Sequence, residues 1–475
     1  MSFPFGEMLS HHEESWGCSS LVQLFCFDSI WNTQKVSLLK SSITTANKTL
    51  LSGKEEKQHD ECPWTSLPDD IMELIMKRLC LEDCLGLREI CTPWRDTVAN
   101  AIANKHCHPL PELPLLVLFN PLLKLPVLGL FTHCQPSPVF SLRTEGLLYP
   151  KRRLLETLQT IRGSVEGWMI VSEYSNLLSL SLSLTIFFFN PVTNAKVFVP
   201  SVLKFPSNSP LQADKLLLKK MVASSKPDCL DCFLVGLFSD YCHIRFCRLS
   251  DKSWTTIEAD KDTGVHFMDV EIIDTKLYAT TSNSILVWDL QDSSDYPPKP
   301  KLLATVPPRP RVISTVTGSQ RFDRGIVYDS LAKDDALGDL FLIHMFINVA
   351  YETRHVGYLN IVTEFVAPLE LTRVEVFKLN TSNETNQWIK VDNLGDLVLF
   401  RDSTKCMVMS RASLNSSEEL IKENSIYFGL SYACAGDPSK SIQLGMICLT
   451  DNSIKYFTLE KSSPRPLPFW FVPSV

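Results

Sequence analysis

Glycine is scarce in this chain, 18 in 475 residues, and none gathers ahead of a helix as a phosphate-cradling loop requires. A Gly-x-Ser-x-Gly nucleophile elbow is missing too. Positive charge is in deficit. There are 46 Lys and Arg against 53 Asp and Glu, a net −7, so no basic field exists to hold nucleic acid as the main partner. The short Lys151-Arg152-Arg153 cluster reads as a solvated loop. No segment reads as membrane-spanning. Residues 115–131 are apolar but broken by Asn120, Pro121, Lys124 and Pro126, and residues 177–189 are too short for a helical span. The first sixty residues hold no arginine, which argues against a mitochondrial presequence. Residues 1–60 read as a poorly ordered extension. Cysteine is plentiful but lacks regular spacing. Fifteen, an odd count, argue against a disulfide framework and for a reducing compartment, the cytoplasm or the nucleus.

What is present is an ordinary globular composition, 45% hydrophobic and 21% charged, in a chain longer than one typical domain. The most informative stretch is residues 64–95. Pro68 suits the first helical position, with Ser66 or Leu67 as the cap. Asp69, Asp70 and Glu73 put negative charge in the first turn, where the helix dipole favours it. Ile71, Leu74, Ile75, Arg78 and Leu79 follow a three-four spacing, so the apolar members form one stripe. Residues 81–87 predict a second short helix. Pro93 can open a third, with Trp94, Val98 and Ile102 on one face. The bland account is a helical piece of a larger fold with Ile71, Leu74, Ile75 and Leu79 all turned inward.

Beyond this module the chain is rich in Leu and Pro over residues 108–138, and then strand signals dominate. Residues 178–188 alternate Leu or Ile with Ser or Thr, a strand with one apolar face, and Phe187 to Phe189 cover its end on both sides. Asn190 to Asn194 then make a turn. Residues 246–290 read as one four-strand meander of blade size, and 374–410 repeat the order, each with a Trp after a polar turn, Trp254 and Trp388. Repeating meanders predict a β-propeller, with a β-sandwich as the competitor.

The helical stretch, with its Leu67-Pro68 pair and Trp94-Arg95, resembles the F-box. Phe140-Ser141-Leu142, Gly163-Ser164, Gly167-Trp168, Asn190-Pro191-Val192-Thr193, Asn424 to Phe428 and the tail from Pro466 to Ser474 resemble the plant F-box proteins with a KIB-type propeller. Pro93 departs from the pattern, which has a small polar or basic residue there. The resemblance implies a mainly β chain with a small α module: an extension at 1–60, a three-helix F-box at 61–107, a linker at 108–138 and a propeller at 139–475. It also implies a substrate receptor of an SCF-type ubiquitin ligase that does no covalent chemistry itself. On this basis Leu67, Pro68, Ile71, Ile75, Leu79, Leu87 and Ile90 face a Skp-type adaptor, and through it cullin. Leu74, Trp94 and Val98 form the module's core. The propeller takes a target protein that the sequence does not name.

Other chemistry finds little support. Cys229 and Cys232, with Cys242, His243 and Cys247 following, could bind zinc by spacing, but the strand context makes them core thiols. Trp168, Trp254, Trp288 and Trp388 read as core before ligand platforms. No cofactor is expected. Two further readings stand: a binding propeller acting outside the ligase, and a propeller enzyme for a sugar or small metabolite. The last requires polar groups converging in the central channel.

Overall fold

The computed structural model describes residues 67–77, 79, 87, 91–103, 113–119, 139–142, 146–148, 159–175, 181–199 and 203–206. It further describes 218–238, 242–259, 266–291, 297–309, 314–316, 321–356, 360–365, 370–381, 386–402, 404–414, 421–431, 442–457 and 467–473. The expected extension at 1–60 lies outside these residues.

Two α-helices, α1 (Asp69–Met76) and α2 (Thr92–Ala103), and one short 3-10 helix at Arg411–Leu414 are seen among the described residues. Of the expected middle helix, only Leu87 is described. The rest is strand, in six sheets. Blade 1 contains β1 (Leu115–Phe119), β2 (Val139–Ser141) and β3 (Gly146–Leu148). Blade 2 contains β4 (Gln159–Val165), β5 (Trp168–Ser175), β6 (Ser181–Phe189), β7 (Lys196–Phe198) and β8 (Leu203–Pro206). Blade 3 contains β9 (Leu218–Ala223), β10 (Phe233–Phe238), β11 (His243–Arg248) and β12 (Thr255–Glu258). Blade 4 contains β13 (Asp269–Ile273), β14 (Lys276–Thr280), β15 (Ser284–Asp289) and β16 (Lys301–Thr305). Blade 5 contains β17 (Ser314–Val316), β18 (Arg321–Lys333), β19 (Leu340–Val356), β20 (Asn360–Phe365), β21 (Glu370–Asn380) and β22 (Gln387–Val391). Blade 6 contains β23 (Leu397–Arg401), β24 (Cys406–Ser410), β25 (Ser425–Ser431), β26 (Ile442–Cys448) and β27 (Ile454–Tyr456). The last strand, β28 (Leu467–Phe471), returns to blade 1 and pairs antiparallel with β1, Leu115 opposite Phe471 and Phe119 opposite Leu467.

Six apolar clusters sit at the six seams between neighbouring sheets, which is the packing of a closed six-bladed β-propeller. Strand β6 shows how the sequence builds two seams at once. Leu184, Ile186 and Phe188 pack with blade 3, while Phe187 and Phe189 pack with blade 1. Trp288 and Phe267 meet edge to face in the seam of blades 3 and 4. Trp168 and Trp254 pack on the seam of blades 2 and 3, and Trp388 on that of blades 4 and 5.

Two expectations need correction. The meander at 246–290 is not one blade: β11 and β12 close blade 3, and β13 to β15 belong to blade 4. The repeat at 374–410 likewise straddles blades 5 and 6. The repeating order was legible, but its phase was not, because nothing local marks which connection stays within a sheet and which crosses to the next. The segment 108–138, expected as a linker, contributes β1 to blade 1. Prolines around Leu115 to Phe119 masked a five-residue apolar strand.

Gly163 in β4 marks a close approach of blades 2 and 3. A Cβ there would lie 2.0 Å from the carbonyl oxygen of Met221 in β9. Backbone cannot yield as a flexible side chain can. Gly163→Ala is expected to lower stability by about 2 kcal/mol through overpacking. A urea midpoint unchanged from the parent would refute that.

Candidate functional site

Helix α1 begins one residue later than the sequence suggests. Pro68 is its cap, with its carbonyl accepting the N–H groups of Ile71 and Met72 at 3.1 Å each. Asp69 and Asp70 occupy the first turn, and Thr97 of α2 donates to Asp69 at 3.0 Å, tying the helices together. The interior of the module is Met72, Met76, Leu87, Trp94, Val98 and Ala101, with Leu67, Ile75, Leu79 and Cys91 half-buried beside it. Ile71 is 40% exposed and Leu74 57% exposed, both on the outer side of α1. Pro68 is exposed as well.

The exposure of Leu74 overturns its expected place in the core. Met72 and Met76, one turn apart, take the inward face, and Leu74 stands about 200° around the helix from Met72. The stripe expected from spacing runs only through Ile71, Leu74 and Ile75, whereas Met72 and Met76 are the residues that pack inward. Leu87, expected on the adaptor face, is only 2% exposed and fills the interior, so it cannot meet a partner unless the module opens. Trp94 and Val98 are buried in that interior. Ile90 lies outside the described residues. What remains outward is a ridge of Pro68, Ile71 and Leu74, flanked by half-buried Leu67, Ile75 and Leu79. An exposed apolar ridge on a short helix is suited to burial against another protein.

A second cluster lies where strands of neighbouring blades meet. Lys220 of β9, 1% exposed, donates to Asp269 of β13 at 2.9 Å and lies 3.7 Å from Glu271. The other oxygen of Asp269 accepts the Leu331 N–H at 2.8 Å, which adds blade 5. Glu271 accepts the Ile272 N–H at 3.1 Å. Lys405, in the turn before β24, donates to Ser164 of β4, joining blades 6 and 2. Burial alone would lower the Lys220 ammonium pKa, but Asp269 and Glu271 outweigh it and the net shift is upward. Burial raises the Glu271 carboxyl, with Lys220 and Lys333 opposing. Lys405 is pushed down to about 8 by burial, against the pull of Asp402, Glu271 and Asp335. The sequence reading missed this cluster. Its trace was Asp269 and Glu271 alternating with Val270 and Ile272, charge on one side of a strand. Polar groups thus do converge among the blades, as a metabolite enzyme would need, but Lys220 and Asp269 are engaged across seams and Lys405 reaches past blade 1 to Ser164.

The lowered pKa of Lys405 sets a pH signature. Below its unfolded value the unfolded chain holds this proton more firmly than the folded one, so the group's burden on stability lessens as pH rises from about 8 toward 10.5. The stability of the parent minus that of Lys405→Met should therefore rise across that window. A flat difference in paired urea titrations would contradict it.

Cys232 and Cys247 are buried in the seam of blades 2 and 3, and Cys232 donates to the Ser225 carbonyl at 3.0 Å. Cys229 is exposed and Cys242 half-buried. Among the described residues no group of three or more His, Cys, Asp or Glu could hold a metal, and no helix is long and apolar enough to cross a membrane.

The described residues thus combine a small helical module bearing an exposed apolar ridge with a six-bladed propeller. The F-box domain model matches residues 64–104, the ridge and both helices. The KIB1-4 beta-propeller model matches residues 139–457, and the chain belongs to that family. No curated protein matches the chain. Among solved structures it is similar to the WD40 domain of SCAP from fission yeast, at 10% identity and a TM-score of 0.23, covering 72% of this chain and 74% of that one. It is also similar to an uncharacterized protein from Listeria monocytogenes, at 12% identity and a TM-score of 0.26, covering 65% of this chain and 86% of that one. At such scores these likenesses carry no argument about what the chain does.

Proposed function

We propose that this protein is the substrate-recognition subunit of an SCF-type cullin ubiquitin ligase, with no catalytic step of its own. The F-box with its outward ridge of Pro68, Ile71 and Leu74 is the observation that carries the reading. In it, the ridge and the flanking Leu67, Ile75 and Leu79 bind a Skp-type adaptor and, through it, cullin. The propeller binds a target protein and holds a lysine of it near a charged conjugating enzyme, which raises the effective concentration. Residence in the cytoplasm or nucleus accords with the free cysteines among the described residues.

The test is co-elution of the purified chain with a Skp-type adaptor. A stoichiometric complex is expected. Leu67→Ala combined with Pro68→Ala is expected to weaken it about tenfold while the propeller stays folded. Absence of any complex would favour a propeller that binds its target outside the ligase.

A further inference from the structure

Val192 is an apolar side chain at the tip of a turn, between β6 and β7. It joins none of the six seams of the propeller. It is 6% exposed and belongs to the same buried apolar cluster as Met72, Met76, Leu87, Trp94 and Val98 of the F-box. A lone apolar side chain in a turn is ordinary when exposed; this one is covered by the helical module.

The turn is built to hold that side chain out. Asn190 is fully covered, and its side-chain oxygen accepts the N–H groups of Val192 at 2.9 Å and Thr193 at 3.0 Å. Its own N–H donates to the Ala195 carbonyl at 3.0 Å. Asn194 takes a φ of 58°, a left-handed conformation that asparagine tolerates. Pro191 restricts the chain between these points. The result is a short peg braced by hydrogen bonds of its own.

We infer that the Asn190–Ala195 turn is the peg that fixes the F-box on the propeller, so that the two move as one body. Two short helices bury too little surface to be stable alone. Val192 supplies part of the missing wall. The packing also sets direction. Strands β4 and β6 run the same way, both antiparallel to β5. The turn at Glu166 and Gly167 and the peg therefore lie on one face of the ring, and the F-box sits there. The ridge on α1 turns away from Met72 and Met76, which share the buried cluster with Val192. The inference does not depend on the ligase reading, because it concerns contact within the chain.

Hydrogen exchange on the full-length chain, without any adaptor, tests it. Val192→Asp is expected to speed exchange of the α1 and α2 amides about tenfold or more, with the amides of blades 3 to 5 unchanged. Phe198→Asp, on an exposed side chain of neighbouring β7, is expected to leave both sets unchanged. Unaltered α1 and α2 exchange in Val192→Asp would overturn the inference. Should that variant unfold the whole chain, the milder pair Val192→Ala and Val98→Ala decides. If they share one packed cluster, the double variant exchanges more slowly than the product of the two single effects. If the effects simply multiply, the peg is not part of the F-box interior and the inference fails.

Discussion

A chain carrying both Ile71→Asp and Leu74→Asp is expected to lose adaptor binding by about a thousandfold while its urea midpoint stays where it was. The two side chains are exposed on the free chain, so the folded state gives up little when they become polar. In the complex they would be covered. An apolar anchor at the centre of an interface contributes about 2 kcal/mol or more, and two such anchors make the thousandfold. The acidic replacements add the cost of covering unpaired charge. Leu87→Asp is the contrast. It places a carboxylate in the module's interior, so it should destabilise the fold as well as binding. A titration of purified adaptor against the exposed-pair variant decides. Affinity within threefold of the parent would remove the ridge from the interface.

The second large effect concerns the ring itself. Asp269→Ala is expected to cost about 4 kcal/mol, because it leaves the Lys220 ammonium buried beside a single carboxylate 3.7 Å away. It also takes the acceptor from the Leu331 N–H. Three blades lose their common point. Asp269→Asn should cost less, since an amide oxygen can still accept one of those two hydrogen bonds. Equilibrium urea unfolding measures both. A loss below about 1 kcal/mol for the alanine variant would mean that water reaches Lys220 and that the cluster is not sealed.

The propeller was legible because period-two alternation survives in strands whose two faces meet different neighbours. Residues 178–188 announced both faces of β6, apolar Leu and Ile on one and Phe187 and Phe189 on the other. The blade phase was not legible, because covalent neighbours such as β12 and β13 lie in different sheets. Strand pairing across the whole chain, β1 with β28, leaves no local trace beyond two apolar runs.

At the candidate site, spacing located α1 but not which of its stripes faces inward. The stripe legible by spacing ran through Ile71, Leu74 and Ile75, yet Met72 and Met76 face the cluster that holds Trp94, Val98 and Val192, which are distant in sequence. Val192 itself was visible as part of an Asn-Pro-x-Thr turn. Its partner was not, since contact between residues 72 and 192 depends on how two domains meet. The ion cluster escaped for a similar reason: Lys220 and Asp269 are 49 positions apart.

The pairing of β28 with β1 has a consequence for how the molecule is made. Strand β1 emerges from the ribosome early, yet the edge it needs arrives about 350 residues later, which at ordinary elongation rates is tens of seconds. For that interval Leu115 to Phe119 is a greasy, unpaired edge, open to aggregation or to capture by chaperones. Phe469, Trp470 and Phe471 act as the clasp that ends the exposure, so nascent chains truncated before Leu467 should be recognised by quality control as unfinished.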